Sequence, residues 1–379
     1  MNKKLKQPIF ITSPIIPNML DLQNELKTIF ESKYLTNMGV KHNELEKRLK
    51  AALKIGDKNF SLFNNGTIAL LVALKALNLP IGSQVITTPF TFAATAHCIS
   101  WNGLNPVFCD IEPNTMCIDA DKIETLITKN TSAILAVHVY GFPCDVKKIN
   151  KVAKKHKLKV IYDAAHAFST EIFGKGIGSF GDITMFSFHA TKLFNTVEGG
   201  GLAYPQELSR KIGSLRNFGI QSEEFVEDIG INGKMNEIQA IFGLLNLKSF
   251  KKEQNKRAKI KQLYDDALSK IKGIRIPKMP YYASHSYQYY PIIIEKQYPI
   301  TRNELYDNFK KLNIFTRKYF YPLCSDYECY KNLPSSKKEN LSIANDIKNK
   351  VLCLPFYGDL PIEAAKIVCD KIQGIFKYV

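Results

Sequence analysis

Three short polar stretches hold residue types that could do chemistry together. The first is Ser187-Phe188-His189-Ala190-Thr191-Lys192, followed by Val197-Glu198-Gly199-Gly200-Gly201. A β-rich run, Asp182–Phe186, leads into this loop, so its single lysine could reach a ligand at a sheet edge. The glycines would let backbone approach closely without a Cβ clash. A solvated surface lysine fits the same spacing. The second stretch is Asp163-Ala164-Ala165-His166, at the end of the apolar run Leu158-Lys159-Val160-Ile161-Tyr162. A carboxylate at the end of a central strand loses hydration unless a cation meets it, and the ring nitrogen of pyridoxal phosphate (PLP) is one such cation. A helix N-cap is the plainer role for the same aspartate. The third is Asn65-Gly66-Thr67, just before the helical pattern Ile68–Leu77. Free N–H groups at a helix start, with a glycine and a hydroxyl, can cradle a phosphate, or the residues can simply cap the helix.

The elements that would position these groups follow from periodicity. Between about residues 60 and 205, β-rich runs alternate with amphipathic stretches. The spacing predicts strands over Gln84–Thr87, Pro106–Cys109, Ser132–His138, Leu158–Asp163, Ile183–Ser187 and Gly201–Tyr204. Helices are expected over Thr67–Leu77, Thr91–Asn102 and Cys144–Lys157. Such alternation implies an α/β fold with a mainly parallel sheet flanked by helices, and ligands then lie at the carboxyl ends of the strands. From Asn236 a long helix is expected through the lysine-rich stretch Lys248–Lys270. A strand at Tyr287–Ile294, a helix near Ile300–Lys311 and a last helix at Pro361–Phe376 complete a smaller α+β domain. The division expected is residues 1–250 for the large domain and 251–379 for the small one. Gly174-Lys175-Gly176-Ile177-Gly178 has the wrong spacing for a dinucleotide fingerprint and reads as a turn.

Composition excludes several classes. The net charge of +17 comes almost wholly from lysine, since only seven residues are arginine. The lysines are scattered, with no basic block interleaved with aromatics, so no nucleic-acid partner is expected. No apolar run approaches the roughly 20 residues of a membrane span. The start, Met1 to Pro8, is basic, but Ile9-Phe10-Ile11 is too short for a signal-peptide core, and a cytoplasmic protein is expected. The eight cysteines (98, 109, 117, 144, 324, 329, 353 and 369) show no C-x-x-C pair or zinc-finger histidine, so neither disulfide nor metal is expected.

Taken in order, the stretches add up to more than each alone. Asn65-Gly66-Thr67, Thr91-Phe92, Asp163-Ala-Ala-His166, Ser187-Phe-His-Ala-Thr-Lys192 and Glu198-Gly-Gly together resemble the DegT/DnrJ/EryC1/StrS family of sugar aminotransferases. The resemblance begins at Leu35-Thr36-Asn37. It continues through Leu215–Gly219, Gly230–Ala240 and Thr316–Leu323, covering essentially the whole chain. It implies a type I aminotransferase fold, PLP as cofactor and a homodimer with active sites at the subunit interface. Lys192 would be the catalytic, cofactor-bearing lysine and Asp163 the partner of the pyridine nitrogen. Gly66, Thr67 and Ser187 would hold the phosphate, with Asn232 reaching it from the other subunit. Phe92 would stack on the ring, and His166 would lie next to its phenolic oxygen. Asn37, Arg317, Tyr319 and Tyr321 would face the substrate together with Lys192.

Relatives that replace the lysine with histidine are sugar dehydratases; Lys192 favours transamination. The run Thr191-Lys-Leu-Phe-Asn-Thr-Val-Glu-Gly-Gly200 is similar to the branch that aminates C4 of a dTDP-linked 4-keto-6-deoxyglucose. Glutamate would be the amino donor, and the product would serve O-antigen or another surface glycan. A sugar 3-aminotransferase, or one for a UDP- or GDP-linked keto-sugar, is the nearest alternative. A non-enzymatic PLP-binding regulator is the alternative of a different class, disfavoured because no helix-turn-helix pattern precedes the aminotransferase region.

Overall fold

The structure, a computed structural model, describes residues 7–375. Met1–Lys6 of the basic start and Phe376 at the expected end of the last helix lie outside the described residues.

Seven strands form the main sheet: β1 (Asn59–Phe63), β2 (Gln84–Thr87), β3 (Asn105–Phe108), β4 (Thr131–Val137), β5 (Lys159–Asp163), β6 (Ile183–Ser187) and β7 (Gly200–Tyr204). Their order across the sheet is β1-β7-β6-β5-β4-β2-β3. All neighbouring pairs are parallel except those of β7, which runs antiparallel to β1 and to β6. Successive strand residues point to opposite faces. The unbroken burial of Ala133–Val137 and Gly200–Tyr204 therefore means that both faces of the sheet are covered. All six expected strands are present with ends shifted by no more than one residue.

The helices are α1 (Met19–Ser32), α2 (Val40–Ala52), α3 (Gly66–Ala76), α4 (Ala93–Trp101), α5 (Val146–His156), α6 (Ser209–Leu215), α7 (Glu237–Leu268), α8 (Arg302–Lys311), α9 (Ser342–Lys350) and α10 (Ile362–Gly374). α5 shows why such a segment folds: Val146, Ile149 and Ala153 fall on one buried stripe, and Asp145 Oδ1 accepts from the Lys148 N–H at 3.0 Å. α7 opens on a capping box between Asn236 and Gln239 and spans 32 residues, about 48 Å at the usual rise. Its first half lies on the large core. Ile260, Tyr264 and Leu268 of its second half pack into a separate core.

That second core covers an antiparallel sheet of β8 (Ile274–Arg275), β9 (Tyr290–Ile294) and β10 (Val351–Leu354), together with α8 and α10. The start of the chain joins it. Ile9 N–H donates to Asn313 O at 3.0 Å, Phe315 N–H donates to Ile9 O at 2.8 Å, and Phe10 stacks on Phe315 at 5.4 Å. β9 is shorter than the expected Tyr287–Ile294 strand, because Tyr287 takes a left-handed φ of 57° that ends the extended run. Residues 286–289 are thereby freed to lie against the main sheet's loops. Of the stretch Gly174–Gly178 only Gly174 lies in a turn, with Phe173 and Gly174 both at positive φ between the short paired segments Glu171–Ile172 and Lys175–Gly176; Ile177 and Gly178 begin a 3-10 turn.

Among the described residues no helix is long and apolar enough to cross a membrane, and no three metal-binding side chains cluster. The cysteines are unpaired and all but Cys329 are buried.

Candidate active site

The carboxyl ends of β5 and β6 and the start of α3 converge. Gly66, the first residue of α3, lies against Ser187, the last of β6: a Cβ on Gly66 would be 3.0 Å from Ser187 Cβ and 3.2 Å from its Oγ. Gly200, paired with Ser187 across the sheet, closes the third side, since its own Cβ would meet Asn65 O at 2.6 Å. Asn65 caps the helix, its Oδ1 accepting from Ile68 N–H at 2.8 Å, while Thr67 is exposed on the first turn. Capping leaves room for an anion: the cap takes one of the free N–H groups and leaves those of Gly66 and Thr67 at the helix's positive end.

Asp163 ends β5 and is 5% exposed. No helix follows it, so the N-cap role is ruled out. Instead its Oδ1 accepts from Ala165 N–H at 3.0 Å within a turn, and Oδ2 accepts from Thr95 Oγ1 at 2.8 Å. Burial holds its carboxyl above the ordinary carboxylate range, and the two hydrogen bonds and the Lys192 charge only partly offset this. Among the described residues it has no salt-bridge partner within 4.0 Å. A buried carboxylate with two hydrogen bonds and no ion pair suits a cationic ring nitrogen.

Lys192 follows β6 in a tight turn, its N–H bonded to His189 O at 2.8 Å. The side chain is half-buried, and among the described residues its Nζ has no hydrogen-bond or ion-pair partner. Desolvation brings its amine down to about 8, against the pull of Asp163. His166 is buried, accepts from Tyr140 N–H at 3.2 Å through Nδ1, and is held well below the usual imidazole range by burial and by Lys192. Phe92 is the N-cap residue of α4 and its ring is 62% exposed, free to face a ligand.

The residues that the family resemblance expects on the substrate side are Asn37, Arg317, Tyr319 and Tyr321. Arg317 is exposed, with its guanidinium 5.7 Å from the Tyr319 ring. Tyr319 connects inward, because its carbonyl accepts from Tyr140 Oη and its ring meets Tyr289, which in turn packs edge-on to His166 at 5.0 Å. Tyr321 and Asn37 are exposed, and the Asn37 carbonyl accepts from Tyr34 Oη at 2.9 Å. Asn232 is exposed too; its carbonyl accepts from Asn64 Nδ2 at 3.4 Å, two residues before Gly66. Thr95, Tyr140, Gln288 and Tyr289 were missed from sequence. Thr95 left a signal, being four residues from Thr91 and so on the same face of the α4 start. The other three come from loops with no periodicity.

A glycine-led helix start against a serine, a buried carboxylate with no ion pair and a desolvated lysine, all at neighbouring strand ends, fit a PLP-dependent aminotransferase of the type I fold. The comparisons with known proteins agree. Residues 19–373 match the DegT/DnrJ/EryC1/StrS aminotransferase family. The chain is 42% identical over 372 residues to a dTDP-4-amino-4,6-dideoxy-D-glucose transaminase of Shigella dysenteriae, covering 98% of this chain and 100% of that protein. It is 45% identical over 368 residues to the Escherichia coli transaminase of the same name, covering 96% and 98%. Among solved structures, DesI with its TDP-sugar product superimposes with a TM-score of 0.92 at 30% identity, over 98% of this chain and 94% of that one. The chain belongs to the DegT/DnrJ/EryC1/StrS aminotransferase family, and its cofactor is PLP.

Proposed function

We propose that this aminotransferase moves an amino group from glutamate to C4 of dTDP-4-keto-6-deoxy-D-glucose, giving dTDP-4-amino-4,6-dideoxy-D-glucose. The observation that carries this reading is near-full-length identity of 42% and 45% to two transaminases named for that product. The run Thr191–Gly200 supports the same regiochemistry.

PLP, when bound, supplies an electron sink for the carbon that loses its proton. Lys192 would carry the cofactor, and its free amine would take and return that proton; an amine brought down to about 8 is suited to both tasks near neutrality. Asp163 keeps a proton on the ring nitrogen, with Thr95 and Ala165 holding the carboxylate in place. Gly66, Thr67 and Ser187 would hold the phosphate, Phe92 would cover one ring face, and His166 would lie by the phenolic oxygen. Most of residues 1–250 form the PLP-binding domain and most of 251–379 the smaller one, with Ile9 joining the smaller core and Leu323, Leu341 and Ile347 the larger. Asn37, Arg317, Tyr319 and Tyr321 contact the nucleotide-sugar.

The enzyme works as a cytoplasmic homodimer that supplies O-antigen or another surface glycan, with Asn232 completing the neighbour's phosphate site. Exposed apolar side chains on and around the 220–226 hairpin, among them Phe218, Phe225, Val226 and Ile229, support a subunit contact there.

The test is turnover of purified enzyme, PLP and glutamate with dTDP-, UDP- and GDP-linked keto-sugars, with the product solved by NMR. Nitrogen on C4 of the dTDP-sugar is expected. Nitrogen on C3, or preference for a UDP- or GDP-sugar, would overturn the substrate while leaving the family intact.

A further inference from the structure

We propose that Gln288 is a positioning residue for Lys192, setting the two backbone torsions from which the lysine side chain springs. The inference rests on the reading of Lys192 as the cofactor-bearing lysine.

Gln288 is 2% exposed. Its Oε1 accepts from Leu193 N–H at 2.6 Å and its Nε2 donates to Thr191 O at 3.1 Å. The first group belongs to the peptide plane after the Lys192 Cα and the second to the plane before it. One planar amide therefore bridges both planes that meet at that Cα, which fixes their relative rotation. The orientation of the amide is unambiguous, because a backbone N–H can only donate and a carbonyl can only accept. No apolar residue could replace it without leaving both backbone groups buried and unpaired.

Gln288 is itself anchored on the far side. Its N–H donates to Ser286 Oγ at 3.3 Å, and Ser286 Oγ donates to Tyr140 O at 3.4 Å. The Tyr287 carbonyl accepts from Arg257 Nη1 at 3.2 Å, and Arg257 is held by the buried Glu253 at 2.7 Å on α7. Tyr289, the next residue, packs against His166. The left-handed turn at Tyr287 is what aims this segment at the lysine loop instead of continuing β9.

An amine that leaves the cofactor and must take up a proton at one carbon gains rate from a fixed starting point. Loss of Gln288 should therefore act on the lysine's chemistry and spare sugar binding. Gln288→Met keeps the length and removes both hydrogen bonds; ionised Gln288→Glu keeps the acceptor for Leu193 and loses the donor to Thr191.

The first measurement uses protein freed of PLP: the pH dependence of the rate at which added PLP gives the visible absorbance of the bound cofactor. In Gln288→Met the midpoint is expected to move by at least about half a pH unit, with kcat down by about tenfold or more and the sugar KM within about twofold. Gln288→Glu should fall between Gln288→Met and wild type. A folded Gln288→Met with an unmoved midpoint and unchanged kcat would overturn the proposal, leaving Gln288 as a tie between two parts of the fold. If Gln288→Met does not fold, Gln288→Glu decides by the same midpoint. Borohydride trapping in the wild type separates the two levels. A pyridoxyl label on another lysine sinks the reading of Lys192 itself, whereas a label on Lys192 with an unmoved midpoint and unchanged kcat sinks only the role of Gln288.

Discussion

Gly66 and Ser187 lie so close that a single methyl group between them would sit 3.0 Å from the serine's Cβ and 3.2 Å from its Oγ. The contact joins the start of α3 to the end of β6, and it is where an anion would meet both the helix N–H groups and a hydroxyl. Gly66 does not need glycine for its backbone angles, since it begins an ordinary helix. The absent side chain serves the approach alone.

Gly66→Ala should therefore leave an apoprotein with unchanged circular dichroism and weaken PLP binding about tenfold or more, roughly 1.4 kcal/mol. Ser187 must shift by a few tenths of an ångström to admit the methyl group, which displaces the hydroxyl from the phosphate position. Titration of the apoprotein with PLP reads the effect. An affinity within about twofold of wild type would show that the phosphate binds elsewhere.

Asp163→Asn and Thr95→Val should form a graded pair. The first substitution keeps the side chain's shape but removes its charge, which at 4 Å and an effective dielectric near 20 is worth at most about 4 kcal/mol before desolvation is subtracted. Turnover is expected to fall below about a tenth of wild type, that is, by more than about 1.4 kcal/mol in the barrier. Thr95→Val removes the 2.8 Å hydrogen bond to Oδ2 together with the 2.9 Å contact to Thr91 Oγ1, raises the carboxyl further and should cost less than Asp163→Asn. If Thr95→Val proved the more damaging of the two, Asp163 would not be the ring-nitrogen partner.

Much of this was legible in the sequence because the relevant elements are local. Strands β2 to β7 announce themselves as short apolar runs between turns, and Gly66, Asp163, Ser187 and Lys192 all sit at the ends of such runs. Elements positioned by distant partners left no trace. The start of α2 is capped by Glu237, whose carboxylate accepts from Lys41 N–H at 2.8 Å and His42 N–H at 2.9 Å across almost 200 residues, while Gly39 in the N-cap place offers no side chain. Helix α9 and strand β10 were missed likewise, as a nine-residue amphipathic stretch running straight into a four-residue strand. The start of β9 was misjudged because a left-handed tyrosine is not a pattern that propensity reports. Gln288 was invisible for the same reason: its partners are backbone groups 95 and 97 residues away.

The pH dependence of cofactor capture follows from the Lys192 amine. Desolvation lowers it from 10.5 to about 8, and only the neutral amine attacks a carbonyl. Capture of PLP by apoprotein should rise about tenfold per unit below pH 8 and level off above it, whereas an ordinary lysine would keep rising to about 10.4. Stability moves with the same group. Between about 8 and 10.5 the unfolded chain holds the proton that the folded one has lost, so the lysine's contribution rises with pH across that window and is flat below it. Lys58 is also lowered to about 8 by burial, so the readout is the difference between wild-type and Lys192→Met apoprotein. An identical pH slope in the two proteins would contradict the desolvated state of Lys192.

The proposed shared site makes a prediction about mixed subunits. Asn232 is exposed beside Asn64, close in sequence to an apolar hairpin, so its amide is free to reach a neighbouring copy. In a two-fold dimer each site would draw Lys192 from one chain and Asn232 from the other. Lys192→Ala should be inactive, and Asn232→Ala nearly so at limiting PLP. When the two variants are mixed and allowed to exchange, about half of the dimers are mixed, each with one intact site and one carrying both defects. Activity should then return to about a quarter of the wild-type value by that counting. Exchange is verified with differently tagged subunits recovered together. With exchange demonstrated, no recovery would mean that Asn232 serves the phosphate site of its own chain, on the same side as Asn64 and Gly66.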